Sequence, residues 1–175
     1  TDLREMAWQS TLTVTEIGSP QRIAPYSVAI EAELNHEDEE LASGRLVMLH
    51  DPAGNEAWQG IFRVVSLVRA DVDLEMVADP LLPEVAWSWL TDSLASHSAD
   101  HLALAGTVTA SYGRTFGDMP EESDRGDVEI RSSWTPTDLS AGRFTEHLTA
   151  WQDLLRHLAG EPPTPEGVVR FPSAP

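Results

Sequence analysis

The histidines and carboxylates of this 175-residue chain are the side chains whose spacing first suggests chemistry. His97 and His101 stand four apart with Asp100 between them, which on one helix face is a metal-ligand spacing. The intervening Ser98-Ala99 and the end of apolar periodicity place them at a helix end or loop, so solvated histidines are expected and no metal is predicted. His50-Asp51 stands beside a tight Pro-Ala-Gly-Asn turn, and capping of that turn explains the pair without an acid–base role. His147 lies one helical turn before Trp151, where packing or solvation on the helix face accounts for it. No Gly-x-Ser-x-Gly elbow or Ser-x-x-Lys pair occurs, and Gly106-Thr107 lacks the glycine spacing and lysine of a phosphate loop. Paired carboxylates abound, but with 29 acids some pairing follows from number alone. No catalytic residue and no cofactor is predicted.

Two constellations remain. If the segments around 104–112 and 128–134 pair, Glu129 and Arg131 become neighbours of Thr107, Thr109 and Ser111 on the polar side of a sheet. A buried arginine there would hold a carboxylate ligand, in a closed pocket lined by Trp134 and Tyr112. An ordinary cross-strand ion pair on a solvated face is the plainer reading. The second constellation is apolar. Trp87 and Trp89 sit on one helix about 160° apart at 100° per residue, so both cannot face one sheet. With Leu90 and Leu94 they are the interface candidates, because tryptophan anchors protein contacts as readily as it fills cores.

The elements that must position these residues follow from periodicity. Thr11 to Ile17 reads as an extended segment closed by Gly18-Ser19-Pro20. Ser27 to Leu34 alternates as a half-buried strand, with a short helix from Pro25 as the competitor. His36 to Glu40 is a charged loop. Arg45 to His50 is apolar on both faces, as central strands are, and Asp51 to Asn55 has the residues of a tight turn into a long strand from Ile61 to Asp71. Asp79 caps a helix with Pro80 first, and its apolar residues from Leu82 to Leu94 span roughly 200°, more than one sheet requires. Two alternating strands follow, joined by an acidic connection. Phe144, Leu148, Trp151, Leu155 and Leu158 then mark an amphipathic helix that Gly160 ends. The expected fold is α+β, a mostly antiparallel sheet of about five strands with two main helices on one face, in the order β-β-β-α-β-β-α. Residues 1–160 make a single domain and 161–175 an extended tail.

Composition excludes several classes of function. The net charge is −18, every base is arginine and cysteine is absent. Such acidity repels phosphate backbones and anionic headgroups, so neither nucleic acid nor membrane is an expected partner. No run approaches the roughly 20 apolar residues of a membrane helix. The opening TDLREMAW lacks a signal-peptide progression, which points to the cytoplasm. It also lacks an initiator Met, consistent with a numbering that begins inside a longer reading frame.

The stretches PQRIAPY (20–26), GRLVMLHDPAGNEAWQGIFRVV (44–65), DPLLPEVAWSWL (79–90), GTVT (106–109), EIRSSWTP (129–136), HLTAW (147–151) and AGEPPTPEGV (159–168) together resemble an actinobacterial family known as domain of unknown function 3000. They cover nearly the whole chain in order; the first twenty residues and 117–126 are less typical. The resemblance implies a GC-rich actinobacterial source, in keeping with the absence of lysine, and implies no activity, cofactor or catalytic residue. The element order is also similar, at fold level only, to small acidic secretion chaperones and regulators that dimerise through a middle helix. The expected function is a non-enzymatic, cytoplasmic protein-interaction module, a homodimer joined through the 80–95 helix, whose acidic loops at 36–40 and 118–127 engage a basic segment of a partner. The alternative is a small-molecule-binding domain or weak enzyme built on the polar face around Arg131.

Overall fold

Alternation along the strands decides which side of the sheet is buried. The structure, a computed structural model, describes residues 6–118, 124–137, 139 and 144–160. Its elements are β1 (Leu12–Ile17), β2 (Tyr26–His36), β3 (Glu39–Asn55), β4 (Gly60–Val72), α1 (Leu74–Val77), α2 (Leu82–Ser96), β5 (His101–Gly113), β6 (Arg125–Pro136) and α3 (Phe144–Leu158). The strands form one open antiparallel sheet in the order β1-β2-β3-β4-β6-β5. One row across it reads Val14, Ala32, Gly44, Val68, Ile130 and Val108. The next row reads Thr15, Glu31, Arg45, Leu67, Arg131 and Thr107. A shift of one residue exchanges the faces, so the first row lies under the helices and the second is the open face.

The α+β class stands, but the described residues hold six strands and three helices rather than about five and two. Thr11 to Ile17 is a full member of the sheet, because its Leu12 and Val14 extend the rows of Leu34 and Ala32. The extra helix, α1, is a single turn and too short to show a period. The segment 27–34, open between strand and helix in the sequence, is strand: pairing along both its edges overrides the helix preference of Ala, Glu and Leu. The reversal between β3 and β4 falls at 56–59 rather than at Asp51 to Asn55. Asp51 accepts the Ala53 N–H there, but Asn55 still pairs with Gly60, and the register shifts between His50 and Asn55. The charged loop at 36–40 shrinks to a two-residue turn, since His36 already pairs with Glu39. Helix α2 starts at Leu82, with Asp79 accepting the Leu81 N–H of the turn before it. The expected tail at 161–175 and the middle of the acidic connection, 119–123, lie outside the described residues.

Two glycines set how close the helices come. A Cβ at Gly44 would stand 2.8 Å from Trp151 and 3.0 Å from Leu155, so glycine lets α3 settle onto β3. A Cβ at Gly106 would meet Trp87 at 2.7 Å and the Arg131 carbonyl closer still, which brings α2 down onto β5. The core between them includes Leu90, Leu94, Leu148, Trp151, Leu154 and Trp134, all 0–1% exposed. Both buried indoles find acceptors, as a buried N–H requires. Trp151 Nε1 donates to Ser66 Oγ at 3.0 Å, and Trp134 Nε1 donates to His147 Nδ1 at 3.1 Å.

That second bond fixes His147 as a neutral acceptor. Burial first, and the nearby His101 second, push its pKa down to about 4, against a smaller opposing pull from Asp100. The folded value lies below the unfolded one near 6.5, so between them the unfolded chain binds more protons and stability rises with pH. The contribution is complete above pH 6.5 and is lost as pH falls towards 4, about 3 kcal/mol in all. Urea midpoints measured from pH 7 to 4 are expected to fall accordingly, and His147→Gln to flatten that part of the profile. An unchanged slope in the variant would mean that other groups carry it.

Candidate functional site

Pairing of β5 with β6 assembles the polar constellation seen in the sequence. Thr107 stands opposite Arg131, Thr109 opposite Glu129, and Ser111 opposite Asp127, all on the open face. Beside them Val65, Leu67, Ala105 and Ser133 help to line a shallow hollow of about 680 Å³. Arg131 is not buried, however. Its side chain is 71% exposed and donates through Nε to Glu129 on its own strand, at 2.7 Å. Arg45 pairs with Glu31 at 3.1 Å and Arg69 with Asp127 at 3.4 Å in the same way. Such solvated pairs are worth only about 0–1 kcal/mol each, and they make the open face an ion-pair ladder. The two residues expected to line a closed pocket there are not on this face: Trp134 is buried on the opposite face, and Tyr112, an even-numbered residue of β5, belongs to that face as well and donates to Asp124 at 3.1 Å.

Arg63 differs from the other arginines of this face. Half-buried on β4, it donates to the Ala103 carbonyl at 2.9 Å, to Thr135 Oγ1 at 3.1 Å and to Ser133 Oγ at 2.7 Å. Burial lowers its pKa, yet a guanidinium stays charged at any physiological pH. Its fork reaches across β6 to the start of β5, where Ala103 takes φ 52° and the register shifts between Leu102 and Ala105. The signal available in the sequence was an arginine at a position whose neighbours in the strand are apolar.

The result is a straight outer strand. Beyond that bulge β5 pairs without interruption from Ala105 to Gly113 on one side, and in the sheet order it is the last strand on the other. From Leu102 to Tyr112 it carries neither a charged residue nor a proline.

The helix candidates divide. Leu90 and Leu94 are 1% exposed and belong to the core. Trp87 is half-buried against Gly106 at the edge strand, whereas Trp89, on the other flank of α2, lines a cleft next to Leu158. The over-wide apolar arc is thus divided among the core and two flanks, and Leu81 and Val85 remain exposed on the outer side. Three of the histidines are held by local contacts. His97 Nε2 bonds the Asp153 carboxylate on α3, His101 Nδ1 contacts the Ala99 carbonyl at 2.8 Å, and His50 stacks on Phe62 with ring centres 4.2 Å apart. Among the described residues no three potential ligands gather in a metal-binding group. No described helix is long and apolar enough to cross a membrane.

Comparison with known sequences and folds gives one match. No curated protein and no solved structure matches the chain. A family profile described as a protein of unknown function, DUF3000, matches residues 1–169, so the chain belongs to the DUF3000 family.

Proposed function

We propose that this chain is a non-enzymatic, cytoplasmic protein-interaction module that works as a homodimer, with two copies joined by antiparallel pairing of β5 with β5. The edge of that strand is the observation that carries the reading. Exposed sheet edges are normally blunted by charge, proline, bulges or shortness, because their free N–H and C=O groups template pairing with another chain. Here β1, at the opposite edge, is six residues long and carries Glu16. By contrast β5 is thirteen residues long and uncharged through its middle, with its bulge confined to one end. In a chain of net charge −18, two copies approach at least cost where neither bears charge. An antiparallel strand is also self-complementary about a two-fold axis, the commonest symmetry of homodimers. Of the helix residues offered as interface candidates, Trp87 lies beside that edge, over Gly106.

The charged groups of the open face pair with one another, and His50, His97, His101 and His147 make structural contacts, which favours binding over catalysis. Amide hydrogen exchange at low and high protein concentration tests the reading. The outward N–H groups of residues 105–112 are expected to gain at least about tenfold protection at high concentration, while β1 stays unchanged. Protection of β5 that does not depend on concentration would contradict it.

A further inference from the structure

The β2–β3 turn, the end of β5 and the start of β6 lie at the same end of the sheet, where β4 also ends and α1 begins. A cleft of about 750 Å³ opens there between α1, Trp89 of α2 and the C-terminal end of α3. Leu74, Met76, Trp89 and Leu158 supply its apolar wall. Leu74 and Met76 are 38% and 41% exposed, so this wall is open to a partner. Around it stand Glu39 and Asp73, with Asp124, which already pairs with Arg114 at 3.0 Å, and the guanidinium of Arg125; Asp71 reaches its rim from the open-face side of β4.

Asp73 and His157, which both line the cleft, keep hydrogen-bonding capacity that the fold leaves unused. Asp73 occupies the cap position of α1 yet makes no side-chain cap hydrogen bond. His157 Nδ1 is shielded from solvent and has no hydrogen-bond partner among the described residues. Carboxylates beside an indole face recognise a cation twice, by charge-assisted hydrogen bonds and through the ring quadrupole. An apolar floor between them selects against small inorganic cations, which gain nothing from it.

We infer that this cleft is the docking site for a basic, amphipathic peptide segment of a partner protein, whose arginine or lysine side chains meet Glu39 and Asp73 while an aliphatic residue between them covers Leu74, Met76 and Trp89. The inference rests on the protein-interaction half of the proposed function and is independent of the β5 dimer. Because the chain is acidic everywhere, the charge complementarity must be local to count.

The test uses the full chain and two labelled eight-residue peptides, one alternating arginine with leucine and one alternating glutamate with leucine, with fluorescence anisotropy as the readout. The arginine peptide is expected to bind and the glutamate peptide not to. The double variant Glu39→Gln with Asp73→Asn should weaken binding at least about tenfold. A control with the same change in charge on the outer side of α2, Glu84→Gln with Asp92→Asn, should alter it less than about twofold. Equal loss in both double variants would show attraction to overall charge and overturn the site, as would binding of both peptides or of neither. Sedimentation of the same variants reports the dimer separately, so loss of one reading does not obscure the other.

Discussion

Trp134→Ala is expected to destabilise the fold by about 5 kcal/mol, enough to bring a domain of ordinary stability near its unfolding point. Trp134 is fully buried on β6, beside Val64 of β4, and its indole N–H is the donor that keeps His147 of α3 a neutral acceptor. Truncation removes a large buried side chain, worth about 3–5 kcal/mol, and orphans a buried ring nitrogen, worth about 1–3 kcal/mol more. Trp134→Phe retains most of the volume and forfeits only the bond, so its cost should be about 2 kcal/mol. Urea unfolding of the three chains measures the series. A loss below about 2 kcal/mol for the alanine variant would mean that the sheet and α3 are held together elsewhere.

The second large effect concerns association. Replacing Thr107 and Thr109 together by lysine is expected to raise the dimer dissociation constant at least about a hundredfold while leaving the fold intact. Both side chains are exposed on the open face of β5, and a lysine at 109 would stand opposite Glu129, a favourable cross-strand pair that offsets the like charge of Arg131 opposite 107. Pairing of β5 with its copy near Val108 would bring four such ammonium groups together, a like-charge cluster at the contact. The same change lowers the net negative charge of each chain, which by itself would ease association. Dissociation in spite of that would locate the contact at the edge rather than in general electrostatics.

Much of the fold was legible because its signals are local. The apolar residues of α3 recur at three- and four-residue spacing, and Phe144, Leu148, Trp151, Leu155 and Leu158 are all buried. Gly160, with φ +75°, ends the helix as its position suggested. The alternation in β5 and β6 foretold that Thr107, Thr109, Glu129 and Arg131 would share a face once the strands paired. What stayed hidden depends on partners distant in sequence. Nothing local says that β6 inserts between β4 and β5, which makes β5 the edge. Nor does anything local distinguish Arg63, clamped by three acceptors on two other strands, from Arg131, free to reach its neighbour Glu129. His147 looked like a helix-face residue because its acceptor role exists only when Trp134 arrives from the sheet. Trp87 and Trp89 diverge as their spacing indicates, while the burial of Leu90 and Leu94 in the core depends on elements distant in sequence.

Sedimentation velocity of the unmodified full chain over a range of concentrations, with the Thr107→Lys, Thr109→Lys chain beside it, tests the edge-paired dimer most directly. The predicted result is a reversible shift from one monomer to two with rising concentration and no larger species, absent when the two lysines are in place. A single monomeric species at every concentration, or a dimer that survives both lysines, would contradict it.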